Sequence, residues 1–213
     1  MFTFIRILVS SNSTIPENKH HTDKAVITSH SLLKFGLAIF SSFLVGTLLL
    51  CYQQKEQIKQ TAPEFPITLL LVAPILLVSS MLLYSSLLAL KKERFPTFRL
   101  RILLSFFLGF LFMVIQANSI LSLISVESTS ATYIAFDYIL LLVSLHFVLF
   151  VAGLIYLGLL LTEAIRHTSY VDAFIFSIND PSVTRITLVS TLWYYIAFSW
   201  IGIIGGLYVV HIS

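Results

Sequence analysis

Charge is scarce in this sequence. Of 213 residues, thirteen are Lys or Arg and ten are Asp or Glu, 11% in all. An ordinary soluble domain carries about 25%. A water-facing surface cannot be built from so few ions, because a soluble protein keeps most of its charge on the outside. The shortage therefore excludes a soluble globular enzyme and a disordered chain. The net charge of +3 is a bias toward membrane surfaces, and no nucleic-acid partner is expected. Cysteine is nearly missing too: Cys51 stands alone, so no internal disulfide can form. There is no phosphate loop, nucleophile elbow or zinc signature, and no internal repeat of the kind that builds inverted-repeat transporters. His20 and His21 lack further ligands at zinc spacing.

What is present is apolar. Hydrophobic residues make up 57% of the chain, and the mean hydropathy is +0.94. Five stretches are free of Asp, Glu, Lys and Arg: 35–52, 65–90, 102–126, 138–162 and 186–213. Crossing a bilayer takes about 20 apolar residues at 1.5 Å each. The last four runs suffice, and the first does so once Leu32, Leu33 and a snorkelling Lys34 are added. The runs are continuous, whereas a membrane strand alternates apolar and polar residues. The expected fold is therefore all-α, a bundle of five transmembrane helices over 32–213. Its spans are placed near 32–52, 66–90, 102–126, 134–162 and 188–210, preceded by a polar tail at 1–31. The apolar start at 1–10 is short, has no basic lead-in and is followed by a polar segment, so it reads as a retained tail and not as a signal peptide.

With five spans, eleven of the thirteen Lys and Arg fall on one side. The positive-inside rule makes that side cytoplasmic, with the N-terminus inside and the C-terminus outside. Pro74 is expected to kink the second span. Gly153, Gly158, Gly202, Gly205 and Gly206 thin the fourth and fifth for close helix packing. Tyr52, Tyr133 and Trp193 fall near span ends and are expected as interfacial anchors.

An ionisable group inside a span is expensive and marks function. His146 is the clearest, nine residues after Asp137 in the fourth span and about 13 Å from it along a helix. It reads as a histidine bonded to a neighbouring helix or a lipid head group, or else as a metal or haem ligand or a proton relay. A bis-histidine haem needs a partner at matching depth, and His30 and His211 sit at span ends. Asp137 is either an ion-entry residue or a carboxylate reaching the interface. No catalytic residue, cofactor ligand or metal ligand is assigned.

Three runs, taken in order, resemble subunit III of the haem–copper (cytochrome c) oxidases. Residues 192–200 read Leu-Trp-Tyr-Tyr-Ile-Ala-Phe-Ser-Trp and are similar to the family's Tyr-Trp-His-Phe-Val-Asp-Val-Val-Trp. Trp193 and Trp200 fall in register, two turns apart on one side of a helix. The run Leu-His-Phe-Val-Leu-Phe-Val-Ala-Gly-Leu-Ile at 145–155 is similar to the family's Leu-His-Gly-Leu-His-Val-Leu-Ile-Gly-Leu-Ile, keeping His146 and Gly153. In the third span, Leu108, Gly109, Phe112, Gln116 and Ala117 follow the family's Leu-Gly-x-x-Phe-x-x-x-Gln-Ala, after a basic loop of the family's kind. Five spans match the shorter bacterial members. The family's buried acids and second histidines are replaced: its first-span glutamate falls near Ser41, and Tyr194, Ala197, Leu149 and Ser119 stand at other polar places. Serine and alanine do not titrate in the usable range, so proton handling through those acids is lost.

The resemblance implies an accessory, non-catalytic subunit in a bacterial inner membrane, packed on oxidase subunits I and II, and possible membership of a larger supercomplex. Haem and copper would sit in those partners, and phospholipid would be bound between helices. His146, Gln116, Trp193, Trp200, Gly153 and Asp137 are the candidates for inter-helix, subunit or lipid contacts. A small transporter or channel, or a haem-bearing anchor of another redox complex, are the alternatives.

Overall fold

The computed structural model describes residues 19–56, 67–127, 134–166 and 169–212. They are almost wholly helical, and there is no strand among them. Six helices follow one another: α1 (Lys19–Gln53), α2 (Ile67–Lys91), α3 (Phe95–Glu127), α4 (Ile134–Arg166), α5 (Tyr170–Ile178) and α6 (Asp180–Ile212). All but α5 are long and apolar enough to cross a membrane. The protein is a multi-pass membrane protein of all-α architecture.

The helices outrun the charge-free stretches. α3 begins at Phe95, with Pro96 in its first turn, where a missing amide hydrogen costs nothing. It therefore takes in Arg99 and Arg101, and Arg101 Nη1 donates to the Ser85 carbonyl on α2 at 2.7 Å. α6 begins at Asp180 and includes Arg185, which pairs with Glu163 of α4 at 3.4 Å. α1 reaches back to Lys19, inside the stretch expected as a tail. α2 runs on through Pro74. The short α5 lies where a loop was expected. Its Ser169 N-cap hydroxyl accepts the Asp172 amide at 3.2 Å, and the Asn179 amide closes its far end on the Ile175 carbonyl.

α2 and α3 are joined by the tight turn Lys91, Lys92, Glu93 and Arg94. The Arg94 amide donates to the Ala89 carbonyl and the Glu93 amide to Leu90, the Schellman arrangement. Glu93 takes the left-handed position of that motif, with φ 57°, where glycine is the usual choice. α2 and α3 therefore run antiparallel, as do α3 and α4. α6 runs beside α4 in the opposite direction and beside α1 in the same one: Ser41 meets Tyr195, and Leu48 meets Gly206. Arg101, Glu163, Arg185, the Glu93 turn and α5 consequently share one end of the bundle.

Lipid offers no hydrophobic drive for helix association, so packing must rest on shape, small residues and hydrogen bonds. The exposed surface fits that solvent. Phe35, Met81, Phe107, Ile155 and Phe198 each point outward from a different span, all about 60% exposed or more. The core is built from Phe112, Phe150, Trp193 and Trp200 with Leu76, Leu83, Leu142, Leu157 and Ile196 around them. No Asp, Glu, Lys or Arg is buried among the described residues.

Candidate functional site

Several of the buried polar side chains gather in two linked places. The first is a crossing of α2, α3 and α6. Ser79 Oγ donates to the Ser105 carbonyl and Ser105 Oγ to the Ser79 carbonyl, each at 2.9 Å. The two hydroxyl oxygens are 3.0 Å apart. Such reciprocal bonds need both helices to come close, which serine allows by its size. The Trp193 indole N–H then donates to Ser79 Oγ at 2.9 Å, so one hydroxyl ties three helices. Trp193 is fully buried, not an interfacial anchor as its place near the span end suggested. The correction has a simple cause: α6 starts at Asp180, ahead of its charge-free run, so Trp193 lies more than three turns inside the helix. Tyr52 does lie exposed, with the Lys55 ammonium over its ring at 5.4 Å. Tyr133 falls outside the described residues.

Two glycines make the space for the Trp193 ring. A Cβ at Gly109 of α3 would stand 2.8 Å from Cζ2 of the indole, and one at Gly153 of α4 would stand 3.3 Å from Cζ3 and 3.0 Å from Ile196 Cδ1. Trp193 therefore lies against bare backbone on two helices. Gly202 and Gly205, also read as packing glycines, have nothing within 4 Å.

The second place is His146, fully buried on α4. Its Nε2 is 3.1 Å from the Ile196 carbonyl on α6. A carbonyl only accepts, so Nε2 carries the proton and Nδ1 is left with a lone pair. Gln116 Nε2 of α3 points its amide at that lone pair, 3.4 Å away. The tautomer is thereby set by α6 and used by α3. The ring lies 4.8 Å from the Trp200 ring, centroid to centroid, tilted by 36°. Phe112 meets Trp200 edge-on at 5.5 Å and Phe150 at 4.7 Å, and Phe150 reaches Trp193 at 5.4 Å. These edge and offset geometries suit ring quadrupoles. Gln116 Oε1 and the Trp200 indole N–H remain without a protein partner, one acceptor and one donor beside the same imidazole.

Five of the six sequence candidates thus come together: His146, Gln116, Trp193, Trp200 and Gly153. Asp137 does not join them. It is exposed in the first turn of α4, where a carboxylate faces the positive end of the helix dipole. The two tryptophans share one side of α6, as their spacing requires. To ligate a metal, His146 would have to surrender one of its two bonds. No three His, Cys, Asp or Glu side chains converge as a metal-binding group among the described residues.

Residues absent from the sequence reading complete the site. Ser79 and Ser105 carry no signal because a serine in a membrane helix usually bonds its own preceding turn, as Ser80, Ser85 and Ser86 do here. Tyr195 carries none either, because aromatic residues blend into apolar runs. Its hydroxyl lies 2.7 Å from Ser41 Oγ and 3.2 Å from the Leu37 carbonyl, joining α6 to α1. Ser41, near which the resemblance would place an acid, is thus half of a neutral pair.

The arrangement can orient and hold helices. Among the described residues it offers no nucleophile, no paired carboxylates and no chain of titratable groups across the bundle. No protein-family model matches the chain, and no curated protein sequence matches it.

Proposed function

We propose that the chain is an accessory, non-catalytic subunit of the subunit III type in a proton-translocating respiratory cytochrome c oxidase, seated in a bacterial inner membrane with its N-terminus in the cytoplasm. One observation carries the reading. The residues that gave the resemblance lie in three separate stretches of sequence, yet Gly109, Gln116, His146, Gly153, Trp193 and Trp200 meet in one buried core.

The chemistry of that core favours support. Its polar members are neutral and, Gln116 Oε1 and the Trp200 N–H apart, bonded within the bundle, so the chain's part is to brace the bundle, keep lipid ordered around it and sustain proton uptake by a partner. Haem and copper belong to subunits I and II in this reading, and the chain supplies no ligand to them.

The test is purification of the native complex in mild detergent, with the co-purifying subunits identified by mass spectrometry and the haem spectrum recorded. The chain is expected to travel with a haem-containing subunit. Recovery without any haem protein sinks the proposal. Within a complex that does form, Trp200→Ala is expected to weaken co-purification and leave the haem spectrum of the retained complex unchanged.

A further inference from the structure

α5 has an unusual distribution of apolar side chains. Ala173 and Phe176 are buried, and Phe176 packs on Phe98 of α3 at 6.2 Å between ring centroids. On the opposite face, Val171, Phe174, Ile175 and Ile178 are exposed. Their spacing of i, i+3, i+4 and i+7 makes one continuous stripe. A helix lying on a protein in water turns polar residues outward; this one is apolar on both faces. Asp172 and Asn179 sit on one flank between them. At nine residues α5 is about 14 Å long, far too short to cross a bilayer.

Its surroundings are basic. Tyr170, the first residue of α5, donates its hydroxyl to Glu93 Oε2 at 3.2 Å and meets Phe95 edge-on at 5.4 Å. That bond pins α5 to the α2–α3 turn. Lys92 and Arg94 flank Glu93 directly, with Lys91 one residue before, and all three are exposed. None of the three has a carboxylate partner among the described residues. The one acid in the turn is engaged by a neutral phenol, which leaves the local excess positive.

We propose that α5 lies in the interfacial layer of the bilayer, its Val171–Phe174–Ile175–Ile178 stripe immersed at the level of the acyl-chain boundary, and that Lys91, Lys92 and Arg94 beside it bind the phosphates of anionic phospholipid head groups. The two halves complement each other as in other interfacial helices, where apolar burial and attraction to anionic lipid act together. The inference rests on the membrane-spanning fold and the end-on placement of α5, and it stands whether or not the chain serves an oxidase.

The experiment uses the full chain reconstituted into phosphatidylcholine bilayers. Ile175→Trp places a reporter on the stripe, and its emission is taken as the difference from wild type, whose two tryptophans are buried. Brominated phosphatidylglycerol and brominated phosphatidylcholine are then added in turn as dilute quenchers. Quenching by lipid, stronger for phosphatidylglycerol at equal dilution, is the expected result. Replacing Lys91, Lys92 and Arg94 by Gln should remove that preference, with each cation lost lowering the affinity for phosphatidylglycerol about fivefold. Lys92→Gln alone provides the same test at one position should the triple variant not fold. Lys55→Gln, beyond the opposite end of α1, should leave the preference intact.

Quenching of the Ile175→Trp reporter by aqueous iodide in place of lipid overturns the immersion of α5. A phosphatidylglycerol preference that survives loss of the three cations overturns their assignment. Shielding of the reporter from both quenchers, with cross-linking of two chains through α5, would mean that a second copy covers the stripe and would overturn the lipid reading.

Discussion

Gly109→Ala is the sharpest single perturbation of the core. The new Cβ would sit 2.8 Å from Trp193 Cζ2 and 3.1 Å from Leu154 Cδ1. Carbon atoms rest at about 3.5–4.0 Å, so the indole must retreat by roughly 0.7 Å or more. It has nowhere to go. Its far edge already faces Gly153, Phe150 packs tilted against it, and its N–H is bonded to Ser79 at 2.9 Å. Overpacking of this kind costs about 1–3 kcal/mol. Replacing glycine by alanine within a helix returns up to about 1 kcal/mol. A strained Trp193–Ser79 bond adds roughly 0.6 kcal/mol to the loss. The net expectation is a destabilisation of about 0.6–3.6 kcal/mol, or a midpoint lower by a few to roughly 14 °C for a chain of this size. Gly202→Ala is the matched control, because nothing lies within 4 Å of its Cβ, and it should hold or raise the midpoint. Thermal unfolding in mild detergent, followed by tryptophan emission, reads both variants directly, since Trp193 and Trp200 are the only tryptophans and both are in the core. A Gly109→Ala protein as stable as wild type, or an equal shift in both variants, would refute the cradle.

Trp193→Phe should cost more than Trp200→Phe by roughly 0.5–1 kcal/mol, since only the first loses an indole N–H with a partner; the remaining tryptophan reports unfolding, and the reverse order would contradict the bonding described. Ser41→Ala and Tyr195→Phe should each weaken the hold of α1 on α6 by under about 1 kcal/mol, and a double-mutant cycle should find the pair coupled, whereas additive effects would separate them. Tyr170 should titrate above the ordinary phenol value of 10, because its hydroxyl donates to the Glu93 carboxylate, whose charge also opposes a phenolate. With the folded value raised, the bond is fully present below pH 10 and is lost as pH climbs through the higher folded value. The absorbance difference between wild type and Tyr170→Phe measures this, and Glu93→Gln should bring the transition down toward 10; a transition at 10 in both would dismiss the bond.

The five spans were legible because lipid imposes one coarse rule, a long run without ions. Their ends were not, for a reason visible at Arg101 and Arg185. Arginine is a good helix former, so neither ends its helix, and the carbonyl or carboxylate of a neighbouring helix that receives each cannot be read from the local sequence. α5 could have been found from the capping pattern Ser169 to Asp172 ahead of an apolar run. In the core, His146 and Gln116 stood out because a strong hydrogen-bonding group in a span demands an explanation. Serines demand none, since their own preceding turn can satisfy them. Nothing in the sequence distinguishes Ser79, which ties three helices, from Ser80, which bonds only its own helix. Trp193 misled for a related reason: an indole near a span end fits both the interface and the core, and only the paired glycines decide.

The side-by-side placement of α1 and α6 has a consequence in time. Ser41 and Tyr195 are 154 residues apart, so α1 leaves the ribosome long before α6 exists. At about 5–20 residues per second the interval is on the order of 10–30 s. During it α1 stands in lipid with its docking edge open. Its hydroxyls are prepared for the wait, because Ser41, Ser42 and Thr47 each donate to the carbonyl four residues back in α1 itself. None of these three hydroxyls needs α6 in order to be satisfied. α1 can therefore wait in lipid, its hydroxyls satisfied, until α6 arrives beside it.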